Sequence, residues 1–319
     1  MLTAFTLQNG KVEVSRAVDP AWLDPDSEIT LWADVVEPTA DDAVVLARDF
    51  GFHELAIEDA LNDMHQPKVE SYPGYLYLVL HGIDFEQSKH RFATHDIDFF
   101  LGPHFLVTVH DGRSRSIRRL AELCPKSDHI LREGPAALMH RIVDTMVDNY
   151  RPEVNELEEW LDEVETDVFE NRLEIREILA LKRDVASLRR VTVPQRDAVG
   201  RLARREFAEI DQTVAYRFRD VHDHLNSLAD EAMLFGDRLT GLVEAHMSAT
   251  SNRLNEVMKV LTIITVLFAP LTVLTSLYGM NVTLPHLPGG EQAQFWWVLG
   301  LMATLSAGMY WFIRSRRWM

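Results

Sequence analysis

The sequence predicts an α+β domain followed by a long helical stalk and two C-terminal helices long enough to cross a membrane. Three observations carry this reading. Short strand-like runs are interleaved with helical stretches up to about residue 134. A proline-free span after Pro194 repeats apolar residues every 3.5 positions. Two stretches of 19 residues near the C-terminus, 260–278 and 295–313, contain no charged residue at all.

Taken in order, residues 1–134 form the N-terminal α+β domain. YLYLVLH from Tyr75 and FLVTV from Phe105 read as strands at least half buried, and Asn9-Gly10 between two such runs reads as a hairpin turn. ADDAVVLARDFGF from Ala40 predicts a helix ending near Gly51, and HELAIEDALND from His53 predicts another. Residues 135–195 are expected as an acidic helical hairpin. Asp144 to Glu170 holds eleven acids and one base, Arg151, while Val147, Leu157, Leu161, Val164 and Val168 keep one face apolar. The charge reverses in KRDVASLRR from Lys182, so the second helix is expected to offer bases to the first, and Pro194 to break it.

Residues 196–259 are the stalk. Val214, Phe218, Val221, Leu225, Leu228, Ala232, Phe235, Leu239 and Leu242 follow at alternating steps of four and three, the period of helices packed along a seam. Unbroken from about residue 200 to 278, this helix would be roughly 120 Å long; a bend near Gly236 or Gly241 would make it two. Residues 260–279 are then a first membrane span, 280–294 an outer loop, 295–313 a second span and 314–319 a basic tail. Arg253 and Lys259 precede the first span, Arg314, Arg316 and Arg317 follow the second, and the loop carries only Glu291. By the positive-inside rule both ends are cytoplasmic, and Trp296, Trp297, Trp311 and Trp318 sit where an interfacial belt would.

Composition narrows the function. Forty-nine acids against 32 bases give a formal charge of −17, which repels phosphate and argues against a nucleic-acid partner while leaving cations as partners. The single cysteine, Cys124, excludes an intrachain disulfide and a multi-cysteine zinc site. The start lacks the basic and apolar regions of a signal peptide, so a cytoplasmic N-terminus is expected. There is no phosphate-cradling loop and no His-Glu-x-x-His pair to suggest an enzyme. In the first span, Asn255, Met258, Thr262, Thr265, Ala269, Thr272 and Ser276 make a small, mostly polar stripe, with Ile263, Leu267, Leu271 and Leu274 opposite. Several copies about an axis could line a pore with it; it could equally pack helix against helix.

Tyr278-Gly279-Met280-Asn281 at the outer end of the first of two C-terminal spans, preceded by NEVMKVLTIITVLFAPLT and followed by a tail ending RSRRWM, resembles the CorA family of magnesium channels over the whole chain. The resemblance implies a funnel-shaped homopentamer in the plasma membrane, or the inner membrane of a Gram-negative cell, that passes Mg2+ and also Co2+ or Ni2+. It implies a selectivity mouth at Gly279, Met280 and Asn281, and a pore lined by Asn255, Met258, Leu261, Thr265, Ala269 and Thr272. Met258 and Leu261 would form an apolar constriction; Ala269 departs from the bulky Met of many relatives. Regulatory Mg2+ between neighbouring subunits is implied at Asp220, in FRDVHDH, with His224 and Asp223, opposite Glu86 or Asp84. The alternative is a zinc or other divalent-cation transporter of the same superfamily, possibly proton-coupled.

Overall fold

In the computed structural model the described residues are 1–24, 27–62, 66–86, 91–169, 175–280 and 290–315, without the side chains of 84–86, 91–93, 169, 290–292 and 294. They fall into two compact units, Met1–Val243 and Glu244–Met319, and one helix runs through the division.

The first unit is built around a mixed sheet. Asn9 and Gly10 take positive φ of 53° and 72°, the turn geometry that matches the twist of flanking strands, so β1 (Leu2–Gln8) folds directly back as β2 (Lys11–Ser15). β3 (Thr30–Val36) pairs antiparallel with β1 and parallel with β7 (Phe105–His110). With β4 (Lys68–Tyr72), β5 (Tyr75–Glu86) and β6 (Arg91–Leu101) the order is β2-β1-β3-β7-β6-β5-β4. One face sets Leu2, Ala33, Val107, Phe100 and Tyr77 in a single core with Leu46, Ala56 and Ile57 of α1 (Ala40–Arg48) and α2 (Glu54–Leu61). Thr39 starts α1 with a capping box closed by Asp42.

The chain then forms α3 (Arg115–Leu123), α4 (His129–Arg132), α5 (Pro135–Asp148), α6 (Tyr150–Phe169) and α7 (Ile175–Ala203), and α5 to α7 pack on the sheet. Gln195, wholly buried on α7, fixes that docking. β4 pairs with β5 no further than Val79. Beyond that point the backbone N–H of His81 donates to Gln195 Oε1 at 2.5 Å, Gln195 Nε2 donates to the Tyr150 hydroxyl at 2.8 Å, and that hydroxyl donates to the His81 carbonyl at 2.6 Å. Three hydrogen bonds thus close a ring through β5, α6 and α7, and the buried edge of the sheet is continued by a side chain.

Four expectations change here. Pro194 lies inside α7 and does not end it. A proline removes one backbone hydrogen bond, at about 3 kcal/mol, but the buried Val191, Thr192, Gln195, Ala198 and Val199 hold the helix on either side. The long helix, α8 (Gln212–Tyr278), starts at Gln212 and not near residue 200. Arg205 takes a φ of 59°, and Asp211 accepts from the Val214 N–H at 2.7 Å, starting a new helix after a turn anchored by the buried Phe207 and Ile210. From there it runs unbroken through Gly236 and Gly241, as the single-helix reading expects.

The seam itself is used within the chain. All nine seam residues from Val214 to Leu242 are buried in a single copy, so they bind α8 to its own unit and are not free to pair with another copy. His140 on α5 meets Phe218 edge-on, and Arg238 on α8 reaches Asp162 and Glu165 on α6 at 2.7 and 2.6 Å. That pairing is the fourth change: the acids of α6 take a base from α8, where Lys182, Arg189 and Arg190 of α7 had been expected to serve.

The second unit contains the end of α8 and α9 (Gly290–Ser315), both long and apolar enough to cross a membrane. Among the described residues, Ile263 on α8 and Ile313 on α9 are buried; Leu267, Leu271 and Leu274 on one helix and Val298, Met302, Leu305 and Met309 on the other are partly covered. Each helix therefore has one covered stripe at a spacing of three and four.

Candidate functional site

The residues expected to line a pore lie on the uncovered side of α8. Asn255, Met258, Leu261, Thr265, Ala269 and Thr272 are all exposed in the single chain, Met258 by 58% and Leu261 by 55%. The covered stripe through Ile263, Leu267, Leu271 and Leu274 is on the other face. Among the described residues of this unit, then, these six positions are not used for packing.

Its hydroxyls have a common arrangement. Thr262 Oγ1 donates to the Met258 carbonyl at 2.7 Å, Thr265 Oγ1 to the Leu261 carbonyl at 2.9 Å, and Thr272 Oγ1 to the Phe268 carbonyl at 2.9 Å. Each proton is held by the preceding turn, and the oxygen keeps lone pairs for an outside donor. These three threonines therefore present acceptors outward, which suits water molecules whose protons point away from a cation.

At the end of the stripe the helix stops at Tyr278. The Gly279 N–H closes the last turn on the Thr275 carbonyl at 2.9 Å, and a Cβ at Gly279 would sit 3.1 Å from that oxygen, so the close approach favours glycine. Met280 is exposed. Asn281 lies outside the described residues.

The candidate regulatory residues are brought together in part. Asp220, Asp223 and His224 are exposed on α8, and His224 Nδ1 is 3.9 Å from Asp148 Oδ1 on α5. Burial raises the Asp144 carboxyl above its ordinary range; His140 opposes this, and the charges of Asp148 and Asp220 reinforce it. Asp144 and Asp148 thus face Asp220 and His224, an arrangement that the opposing pair expected from sequence, Asp84 and Glu86, did not anticipate. Those two sit on β5 with side chains outside the described residues. Among the described residues no three ligands stand at metal-binding separation. Asp144 opens the acid-rich run noticed in the sequence, but its apolar periodicity drew attention to the buried face and not to the acids beside it.

A second polar group went unnoticed. Asp34 Oδ1 accepts from Thr108 Oγ1 at 2.6 Å and pairs with His110 Nε2 at 3.0 Å. Since His110 Nδ1 accepts from the Gly112 N–H, the proton between His110 and Asp34 is on Nε2. Nearby, Tyr77 donates to Asp98 Oδ1 at 2.5 Å. Burial pushes the Asp98 carboxyl up to about 8, against the Tyr77 hydrogen bond and with help from Asp96 and Asp59. Asp96, Asp98, His110, Asp111 and Glu37 border a cavity of about 260 Å³. Single acids in strands give no periodic signal, which is why sequence reasoning passed over them.

A family profile described as CorA-like Mg2+ transporter protein matches residues 27–316. "Putative metal ion transporter YfjQ" of Bacillus subtilis (strain 168) is 32% identical across 98% of this chain and 97% of its own. The cobalt/magnesium transport protein CorA of Thermotoga maritima is 28% identical across 92% of this chain and 85% of its own. In fold, the chain is similar to the complete structure of the CorA magnesium transporter from Methanocaldococcus jannaschii, with a TM-score of 0.83 over 100% of this chain and 99% of that one at 20% identity.

Proposed function

The chain belongs to the family of CorA-like Mg2+ transporter proteins, and from that premise we propose that it is a passive Mg2+ channel assembled as a homopentamer from copies of itself. As a family member it is a divalent-cation transporter and not an enzyme. The observation that carries the finer reading is the acceptor stripe on the uncovered face of α8. Copies arranged about an axis would turn these stripes inward and leave the partly covered face of Leu267, Leu271 and Leu274 directed away from it. Met247, Leu254 and Val257, exposed on α8 beyond the buried seam, supply apolar surface for contact between copies.

Mg2+ holds six oxygens in a small octahedron and gives up its water reluctantly. A ring of neutral acceptors can take hydrogen bonds from that water and so recognise the hydrated ion by size, without replacing its first shell. Asn281 at the mouth supplies such an acceptor, Thr265 and Thr272 continue it, and Met258 with Leu261 would close the path by excluding water. Neutral oxygens also release a divalent ion readily. On the cytoplasmic side, Asp220 and His224 with Asp144 and Asp148 form the acidic surface to which internal Mg2+ would bind between subunits, together with Asp84 or Glu86 of a neighbouring copy. Repelling carboxylates would hold that boundary open until a cation screened them, so high internal Mg2+ would favour the closed form.

The test is Mg2+ uptake into proteoliposomes at imposed voltage and without a proton gradient, comparing the wild type with Asn281→Ala. Voltage-driven uptake abolished by the substitution is expected. Equal uptake by both proteins removes the role of Asn281, and uptake seen only with a proton gradient replaces the channel by a coupled transporter.

A further inference from the structure

The basic run on α7, which the charge pattern of the sequence assigns to α6, turns elsewhere. Lys182, Arg189 and Arg190 border a cavity of about 600 Å³ between α7 and α8. All three are exposed, and no ion pair with a described residue engages them. In a chain of net charge −17, three free cations around one recess stand against the protein's own field.

The recess exists because its walls are low. Ala186 on α7 and Ala232 and Gly236 on α8 carry almost no side chain, and the space above Gly236 is open for at least 4 Å. Val185 and Ala232, both buried, give it an apolar floor, and Val193 and Met233 add to it. Thr240, Gln66 and Asp237 bring hydrogen-bonding groups to the rim. The volume lies in the range of small-molecule pockets. Two guanidinium groups match phosphate oxygens in a planar, bidentate fashion, and an ammonium adds a point charge. An apolar floor suits a flat ring, and one acid on the rim suits a hydroxyl or amino group of the same ligand.

We infer that this groove binds an organic polyphosphate of nucleotide size, with the phosphates at Lys182, Arg189 and Arg190 and the ring over Val185 and Ala232. This site is separate from the ion path and stands or falls independently of it.

The experiment is a fluorescence titration of the full-length protein in detergent with the N-methylanthraniloyl derivative of ATP, in excess EDTA. Saturable binding is expected, displaced by unlabelled ATP, more weakly by tripolyphosphate and not by adenosine. Arg189→Ala and Arg190→Ala should each weaken it about tenfold. Arg176→Ala, which removes a free cation of the same helix outside the groove, should leave it unchanged, with helicity by circular dichroism the same in all variants. Absence of saturable binding by the wild type overturns the inference, as does equal weakening by Arg176→Ala. Loss of self-association in Arg189→Ala, with no nucleotide bound by the wild type, would overturn it in favour of an acidic helix from a second copy.

Discussion

Replacing Asp98 by Asn should flatten the dependence of stability on pH. Asp98 is buried on β6, and its carboxyl is raised to about 8 from an ordinary 3.8, chiefly by burial. Between those two values the folded chain holds a proton that the unfolded chain has lost. The stabilising effect of that proton is complete below the unfolded value and disappears as pH rises through the folded one. In that window stability should fall by about 1.4 kcal/mol per pH unit, or about 2.7 kcal/mol from about pH 5.5 to about pH 7.5. For a unit the size of Met1–Val243 this corresponds to roughly 5–10 °C in melting temperature. Asp98→Asn keeps an acceptor for Tyr77 but cannot titrate. The assay is melting followed by tryptophan fluorescence, since Trp32 is wholly buried in the same sheet. Other groups titrate in both proteins, so the quantity to read is the difference between the two slopes. Parallel curves for wild type and variant would refute the reasoning.

Two further substitutions test the docking of the helices and the acceptor stripe. Gln195→Met keeps the volume but takes the acceptor from the His81 N–H and the donor from Tyr150, and should cost about 2–4 kcal/mol in urea unfolding; a change below about 0.5 kcal/mol would show that the ring contributes little. Thr265→Val removes the outward lone pairs without changing shape, and should lower voltage-driven Mg2+ uptake severalfold at unchanged assembly; undiminished uptake would mean that this hydroxyl does not face the ion.

Where chemistry is local, the sequence could be read directly. Asn9-Gly10 demanded a turn, the alternation in YLYLVLH demanded a strand, and two charge-free stretches demanded helices long enough for a membrane. What required the whole fold was the choice of partner. The 3.5-residue period from Val214 to Leu242 established that α8 packs against helices, but a period does not say whose, and the helices proved to be those of its own chain. Charge reversal between α6 and α7 was misleading for the same reason, because facing direction is a tertiary property and Arg238 was closer. The start of α8 at Gln212 depended on a turn with Arg205 in a left-handed conformation, where neither glycine nor proline marks it. In the site, the exposed stripe was legible from its spacing, whereas Asp144 and Asp148 emerged only when α5 and α8 were brought together.

The back-bonded threonines of α8 bear on biogenesis. A newly made chain must enter hydrocarbon before its copies arrive, and a free hydroxyl proton there would be a polar group without a partner. Thr262, Thr265 and Thr272 meet that need from their own helix. A single copy can therefore enter hydrocarbon with these three hydroxyl protons satisfied, and in the channel proposed above the outward lone pairs would be used only after assembly.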